Sequence, residues 1–190
     1  MRKLMCAVCA VVSLAVSARA AVYEIDPAHS SVGFKIRHMV VAKTTGKFRR
    51  LSGQISYDGK NVESWSVRAV IDAASIDTDN EKRDHHLRAP DFLDTDRFRT
   101  LEYASTKVVW KKGQAPRIYG KLTLHGVIRE VMLTLTEHAA AGDRAGFSAT
   151  TTIDRTDFGV NWNKVLDTGG LAVGKEVEIT LDIEALLKKP

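Results

Sequence analysis

The amino-acid sequence predicts an all-β domain of about eight antiparallel strands. Apolar and polar residues alternate with a period of two in one segment after another, and short turn signals separate these segments. No strand–helix–strand spacing and no internal repeat interrupts them. The alternation is compatible with a β-sandwich and with a closed barrel, because both architectures bury one face of every strand.

Residues 1–20 are predicted to be a cleaved signal peptide. A positively charged start precedes an uncharged apolar run over 4–16, and the segment ends on Ala18-Arg19-Ala20, a small-x-small cleavage pattern. The apolar run is too short to span a bilayer stably. Both cysteines, Cys6 and Cys9, lie in this segment, so the mature chain has no disulfide. We therefore expect a periplasmic protein with one domain, residues 21–190, and no integral membrane span.

The charge balance argues against a nucleic-acid-binding surface. The full chain has 28 basic and 23 acidic residues, a formal net charge of +5. Three of the basic residues, Arg2, Lys3 and Arg19, belong to the predicted signal peptide, so 25 remain and the net charge of the domain is +2. Acidic and basic residues are interspersed, as on an ordinary solvated surface. We expect no nucleic-acid partner.

The alternation assigns the strands in chain order. Residues 23–26 are predicted to form a short edge strand, because Pro27 follows and proline has no N–H to donate to a neighbouring strand. In 31–38, the apolar side chains of Val32, Phe34 and Ile36 share one face. The same period predicts seven further strands at 48–57, 65–71, 101–109, 118–124, 131–135, 147–153 and 177–183.

The connections follow from local composition. Residues 43–46, with the sequence Lys-Thr-Thr-Gly, are predicted to form a turn, His125-Gly126 a tight turn, and 139–146 a loop. In the strand at 101–109, strict alternation places Val109 on the same face as Leu101.

The apolar strand faces form the first candidate site. Burial of apolar surface contributes roughly 25 cal/mol per Å² whether the side chains pack against one another or enclose a lipid tail. Periodicity alone does not separate a packed core from a ligand-lined interior, and by itself it favours the packed core. The candidate residues on these strands are Val32, Phe34, Ile36, Phe48, Trp65, Val67, Leu122, Leu124, Leu133 and Phe147.

The second candidate site is the polar segment 80–96, which interrupts the strands. Leu87 and Phe92 are the large apolar residues of its central run, so we expect them to bury against the strands and hold the segment over one end of the domain. Arg83 and His86 would then lie beside that end of the domain, where they could contact a ligand head group.

Two alternatives compete with ligand contact in this segment. His86 could make a structural hydrogen bond, and Arg83 and Arg88 could form a salt-bridge network with the neighbouring carboxylates. A metal site is disfavoured, because adjacent histidines point in different directions and the mature chain has no thiolate. We expect no bound metal.

Four blocks of sequence in this order resemble the YceI-like family of exported lipid-binding proteins. They are DPAHS (26–30) with VGFKIRH (32–38), RDHHL (83–87) with DF (91–92), GKLTLHGV (120–127), and DFG (157–159) with VGKEV (173–177). The resemblance implies an extended, antiparallel, eight-stranded lipocalin-like barrel with a short helical or loop insertion. Pro90 and Leu93 depart from the family's pattern at that insertion.

The resemblance implies carriage or sequestration of a ligand rather than catalysis. The implied ligand is a long-chain amphiphile, foremost an isoprenoid such as a quinone or a prenyl phosphate, held inside the barrel. Phe158 in the fourth block and Trp162, a residue of the type that caps barrel ends, join the candidate ligand contacts. We expect no other cofactor; transient membrane contact and a homodimer are compatible with the sequence.

An enzyme is the less favoured class. No nucleophile-elbow motif, phosphate-binding loop or cysteine occurs in the mature chain, so we expect no catalytic residues. The alternatives that stay open are an exported hydrolase acting on a lipid or an amide, and a protein-interaction module.

Overall fold

The computed structural model describes residues 20–39, 41–59, 61–167 and 170–189. The predicted signal peptide, apart from Ala20, lies outside the described residues. The strands are β1 Ala21–Ile25, β2 Ser31–His38, β3 Ala42–Phe48, β4 Leu51–Tyr57, β5 Ser66–Asp72, β6 Ile76–Asp77, β7 Thr100–Val109, β8 Arg117–Leu124, β9 Val127–Ala141, β10 Arg144–Asp154 and β11 Val173–Leu187. The helices are α1 Glu81–Arg88 and three short 3₁₀ turns, Val62–Ser64, Ala73–Ser75 and Arg155–Phe158.

The strands close into an antiparallel eight-stranded barrel, as predicted. The ring runs β1-β4-β5-β7-β8-β9-β10-β11, and β11 pairs back onto β1. Three of the eight strands are bent into two segments each. At the bends, β2 continues β1 along β11, β3 pairs with β2, and the short β6 pairs with β3. These second segments extend the barrel beyond the ring at one end.

The prediction of an edge strand at 23–26 is wrong. Tyr23 pairs with Ile55 of β4 on one side and with Leu187 of β11 on the other. Pro27 lies outside β1, where its missing N–H costs the ladder nothing, and the Asp26 carboxylate accepts a hydrogen bond from the N–H of Ala28 at 2.9 Å. The proline therefore marks a bend between two paired segments rather than an edge.

Two connections also differ from the predictions. Residues 43–46 belong to β3, and the chain turns at 39–41, where Met39 has φ of 52° and Val40 lies outside the described residues. A side chain at Gly46 would lie 2.4 Å from the Phe34 ring, so this glycine serves close packing rather than a turn. The loop predicted at 139–146 is instead strand up to Ala141 and from Arg144 onward.

A β-bulge in β7 changes which apolar residue faces inward. The pairing with β8 shifts between Ser105 and Lys107. Because one extra residue reverses the alternation, Val108 is buried whereas Val109 is exposed, contrary to the prediction. The tight turn predicted at His125-Gly126 is confirmed, with φ of 50° and 74°.

The two ends of the barrel differ. An aromatic cluster closes one end, which we call the aromatic end: Tyr57 lies 4.8 Å from Trp65 and 5.2 Å from Phe147 between ring centroids. The helix α1 and the β2–β3 and β8–β9 turns lie at the opposite end, the helix end. Within the described residues, no helix has the length and apolar character needed to span a bilayer.

Candidate ligand-binding cavity

The barrel encloses a cavity of about 360 Å³. All eleven strand segments contribute to its wall, together with α1 and Trp162 at the helix end. Thirteen of the sixteen predicted site residues line it: Val32, Phe34, Ile36, Phe48, Val67, Arg83, His86, Leu87, Phe92, Leu122, Leu124, Leu133 and Trp162.

The inward-facing residues show that the interior is not filled by side chains. Phe34, Leu122 and Ile179 point into the barrel and line the cavity, yet each is only half-buried. In a close-packed core such residues would be fully buried, because neighbours would occupy the space. Their remaining accessible surface faces the cavity.

Three predicted contacts do not line the cavity. Trp65 and Phe147 belong to the aromatic end, where the indole N–H of Trp65 donates to the Asp58 carbonyl at 2.5 Å. Phe158 is 1% exposed and packs within the 3₁₀ turn after β10. Strand alternation does not predict that Trp65 and Phe147 lie outside the cavity. It shows which face of a strand is buried, but not how much of the barrel's length is filled by side chains.

The helix α1 is attached to the barrel through Thr78. The Asp84 carboxylate accepts hydrogen bonds from the N–H and the hydroxyl of Thr78, at 2.9 and 2.6 Å, and all of these groups are buried. Arg83 donates to the Thr78 hydroxyl and carbonyl, both at 2.7 Å. Asn80 caps the helix by accepting from the N–H of Arg83 at 3.0 Å.

Arg83 and Arg88 do not form the salt-bridge network with neighbouring carboxylates that the sequence left open. Arg88 donates to the carbonyls of Ala74 and Ile76, at 2.9 and 3.0 Å. These carbonyls lie in and just before β6, and buried carbonyls need a donor. Both guanidinium groups thus bond to residues 74–78 instead of to carboxylates.

An aromatic triad lies at the helix end of the cavity. The centroid distances are 4.9 Å between His86 and Phe92, 5.1 Å between His86 and Trp162, and 5.0 Å between Phe92 and Trp162. His86 Nε2 also lies 3.1 Å from an oxygen of Asp91. Phe92 is buried and Leu87 half-buried, so the segment is held by its apolar residues as expected.

Arg155 is a cavity residue that the sequence analysis missed. It is 5% exposed, and its Nε donates to the Gly174 carbonyl at 2.8 Å and its Nη1 to the Val160 carbonyl at 2.5 Å. Burial lowers its pKa, but a guanidinium stays protonated in proteins. A charged residue that follows a predicted strand is normally on the surface, so only the fold reveals this burial.

The middle of the cavity is apolar and its buried hydroxyl is satisfied. The Tyr103 hydroxyl lies 3.0 and 3.2 Å from the carbonyl oxygens of Ile118 and Val131 and donates its one hydrogen between them, and burial raises its pKa. Gly120 leaves room for the Tyr103 ring, because a Cβ at position 120 would lie 2.5 Å from that ring.

Positive charge is confined to one end of the cavity. Arg83 and Arg155 line the helix end, together with the imidazoles of His38 and His86, and no aspartate or glutamate is among the lining residues in the described part of the chain. The two guanidinium groups are the charged groups of the wall, while the strands contribute mostly apolar side chains. This distribution matches a molecule with an apolar tail and an anionic or oxygen-rich head.

We expect Asp84→Ala to lower the free energy of unfolding by about 1–3 kcal/mol, because two buried donors of Thr78 lose their acceptor. Amide hydrogen exchange over residues 81–98 should accelerate. Lys82→Ala, at an exposed neighbouring position, is the matched control. Unchanged exchange in the Asp84 variant would show that this carboxylate does not hold the helix.

A separate polar group lies near the aromatic end. The side-chain nitrogen and oxygen atoms of Asp26, His29 and Glu184 that could bind a metal ion lie within 4.8 Å of one another. They already have partners: His29 Nδ1 is 2.8 Å from Asp26, and Arg144 pairs with Glu184. The hydrogen bond between Asp26 and His29 lowers the pKa of Asp26 and raises the pKa of His29. The expectation of no bound metal stays a prediction.

The fold and the cavity together define a class of protein. It is the class of closed antiparallel β-barrels whose interior is an apolar chamber large enough for one small-molecule ligand. The chain belongs to the YceI family: the YceI-like domain matches residues 23–185, essentially the whole described barrel.

Relatives and solved structures agree with this assignment. A UPF0312 protein of Vibrio cholerae is 36% identical over 158 residues, which cover 80% of this chain and 84% of that protein. Burkholderia cenocepacia BcnA has a similar crystal structure, with a TM-score of 0.76 and 26% identity over 85% of this chain and 99% of BcnA.

A polyisoprenoid binding domain from Saccharophagus degradans, implicated in plant cell wall breakdown, has the same fold. Its TM-score is 0.65 at 18% identity, and the match covers 89% of this chain and 99% of that domain. At this identity the likeness concerns the fold alone.

Proposed function

We propose that this protein binds a long-chain amphiphilic lipid, an isoprenoid quinone or prenyl phosphate, inside its barrel and transports, stores or sequesters it in the periplasm. The observation that carries the proposal is the cavity itself, apolar along the strands and positively charged at the helix end alone. The role proposed is binding, not catalysis.

The free-energy cost of an empty chamber supports a resident ligand. Side chains that line an unfilled apolar chamber lose the packing contacts that they would make in a close-packed core. Water offers little compensation, because the apolar wall gives it few hydrogen-bond partners. An apolar chain would restore the missing contacts.

The shape of the cavity favours an elongated tail over a compact ligand. Along β11 alone, the lining residues run from Val173 to Ile183, which is about 30 Å of strand at roughly 3.3 Å per residue. A tail of repeated apolar units needs no specific partners along such a wall. The Saccharophagus degradans domain is described as polyisoprenoid binding, which adds support for an isoprenoid.

The helix end suits the polar head of such a molecule. Arg155 and Arg83 line the cavity there, and guanidinium groups recognise phosphate and carbonyl oxygens. Their hydrogen bonds within the protein go to carbonyl and hydroxyl oxygens rather than to carboxylates.

Removing the ligand tests the proposal. Protein purified without detergent from its native compartment should release about one molar equivalent of a long-chain lipid on organic extraction, identified by mass spectrometry. A ligand at 100 times its Kd adds about 2.7 kcal/mol of stability. The lipid-free protein should therefore melt about 5–11 °C lower.

Adding back a prenyl phosphate or a quinone of the extracted chain length should restore the melting temperature. A hydrocarbon without a head group is the control for the contribution of the polar end. If repeated preparations yield no lipid and no added lipid raises the melting temperature, the carrier proposal is wrong.

A further inference from the structure

Two loops meet at the helix end, and we call their four exposed apolar residues the rim. These residues are Met39 and Val41 of the β2–β3 turn, and Val165 and Leu171 of the segment before β11. The N–H of Met39 donates to the Ala172 carbonyl at 2.8 Å, which joins the two loops. Val165 and Leu171 are themselves paired as an isolated β-bridge.

The apolar side chains of the rim are exposed to an unusual degree. Val41 is 87% exposed and Val165 71%, and both exceed every other large apolar residue in the described part of the chain. Met39 and Leu171 are 45% and 43% exposed. Single exposed apolar residues are common, but four on two joined loops indicate a surface that is covered by something else.

The charges around the rim indicate what covers it. Within the described residues of 35–43 and 161–178, five basic residues stand against three acidic ones; Glu178 pairs with Lys43 at 2.6 Å, so four basic and two acidic residues remain outside this pair. The basic residues are Lys35, Arg37, Lys43, Lys164 and Lys175. Apolar tips beside an excess of basic residues match the interface of a bilayer that contains anionic lipids.

The rim adjoins the cavity. His38 precedes Met39, Val173 follows Ala172, and Trp162 lies three residues before Val165; all three line the cavity. A ligand that leaves between these residues would reach the rim directly. Trp162 packs against Phe92 at this end of the cavity, with ring centroids 5.0 Å apart.

We infer that the rim docks on an anionic lipid bilayer, so that the cavity exchanges its ligand with the membrane without exposing the apolar tail to water. This inference rests on the proposed function, because a protein without a lipid ligand would have no use for a docking surface beside its cavity. Val41 and Val165 enter the acyl region, and the surrounding lysines lie among the head groups.

Vesicle co-sedimentation tests the inference. The mature protein should bind vesicles made of equal parts phosphatidylcholine and phosphatidylglycerol, and bind phosphatidylcholine vesicles more weakly. Raised salt should reduce the difference, because it screens the lysines. Val41→Asp combined with Val165→Asp should reduce the partition coefficient at least about tenfold, since charged residues insert poorly at an interface.

Trp110→Asp is the matched control, because Trp110 is 53% exposed at the aromatic end and should not touch the membrane. Thermal melting with added prenyl lipid checks cavity binding independently. If wild-type protein binds the lipid but not the vesicles, or if the double variant still sediments with them, the docking inference is wrong and the proposed carrier function stands.

A second copy of the chain is the other occupant that the test must recognise. Light scattering that shows a wild-type dimer, lost in the Val41→Asp and Val165→Asp variant, would make the rim a self-interface and overturn membrane docking. Should the aspartate variant fail to fold, Val41→Ser with Val165→Ser removes the apolar tips with less perturbation. That pair should lose vesicle binding in the same direction.

Discussion

Leu122→Trp combined with Ile179→Trp is expected to reduce lipid affinity by about a hundredfold, or about 2.8 kcal/mol, while changing the stability of the lipid-free protein by less than about 1 kcal/mol. The two residues lie on β8 and β11, three strands apart in the eight-stranded ring, and both line the cavity. Two indole rings would occupy the space that the ligand needs.

The small stability change distinguishes a hollow barrel from a packed one. Inserting extra atoms into a close-packed core typically costs about 1–3 kcal/mol per site, because side chains must leave their preferred rotamers. Here Leu122 and Ile179 are only half-buried and face the cavity, so the rings have room. Denaturant unfolding of lipid-free protein and lipid titration measure the two quantities separately.

Thr180→Trp is the matched control for this experiment. Thr180 is the next residue on β11 and is exposed on the outer face, so the substitution adds the same side chain outside the barrel. It should leave lipid affinity unchanged. A double variant that is destabilised by more than about 3 kcal/mol and still binds lipid would indicate a packed interior and a ligand site elsewhere.

Arg155→Met should lower the free energy of unfolding of the lipid-free protein by about 3 kcal/mol. The substitution leaves the carbonyls of Val160 and Gly174 without their donor, and a buried acceptor that loses its partner costs about 1–3 kcal/mol. Val160 lies in the segment that leads into β11 and Gly174 at the start of β11, so the attachment of this part of the chain depends on the Arg155 side chain.

The corresponding fall in melting temperature is about 6–12 °C for a domain of this size. Arg155→Lys keeps the charge but lacks the planar fork of donors, so it should restore only part of the loss. Arg117→Met is the control, because Arg117 is exposed on β8. A loss below about 1 kcal/mol in Arg155→Met would show that solvent or rearranged backbone groups satisfy the freed carbonyls.

Local pattern was sufficient for the strands and for most of the cavity wall. Val32, Phe34 and Ile36 were assigned to the inner face from alternation, and the structure places all three in the cavity wall. The prediction succeeds because side chains of a strand alternate between its faces whatever the strand pairs with. Leu87 and Phe92 were found for a similar reason, since apolar residues in a charged run must be buried.

Features that depend on partners distant in sequence were missed. β1 was taken for an edge strand because nothing near Pro27 reveals that β11 closes the ring more than 150 residues later. The bulge that turns Val109 outward depends on the register with β8. The guanidinium of Arg155 donates to carbonyls of residues 160 and 174, and the sequence around Arg155 does not predict these partners.

The sequence by itself determined that the chain forms antiparallel strands with one apolar face each, interrupted by one polar segment that carries its own apolar anchors. Only the tertiary structure decided that these faces enclose a cavity, that positive charge gathers at one end, and that exposed apolar loops adjoin that end. The physical reason is that burial is equally favourable against a neighbouring side chain or a ligand. Whether a space remains between the faces depends on ring closure and strand register, which no local pattern encodes.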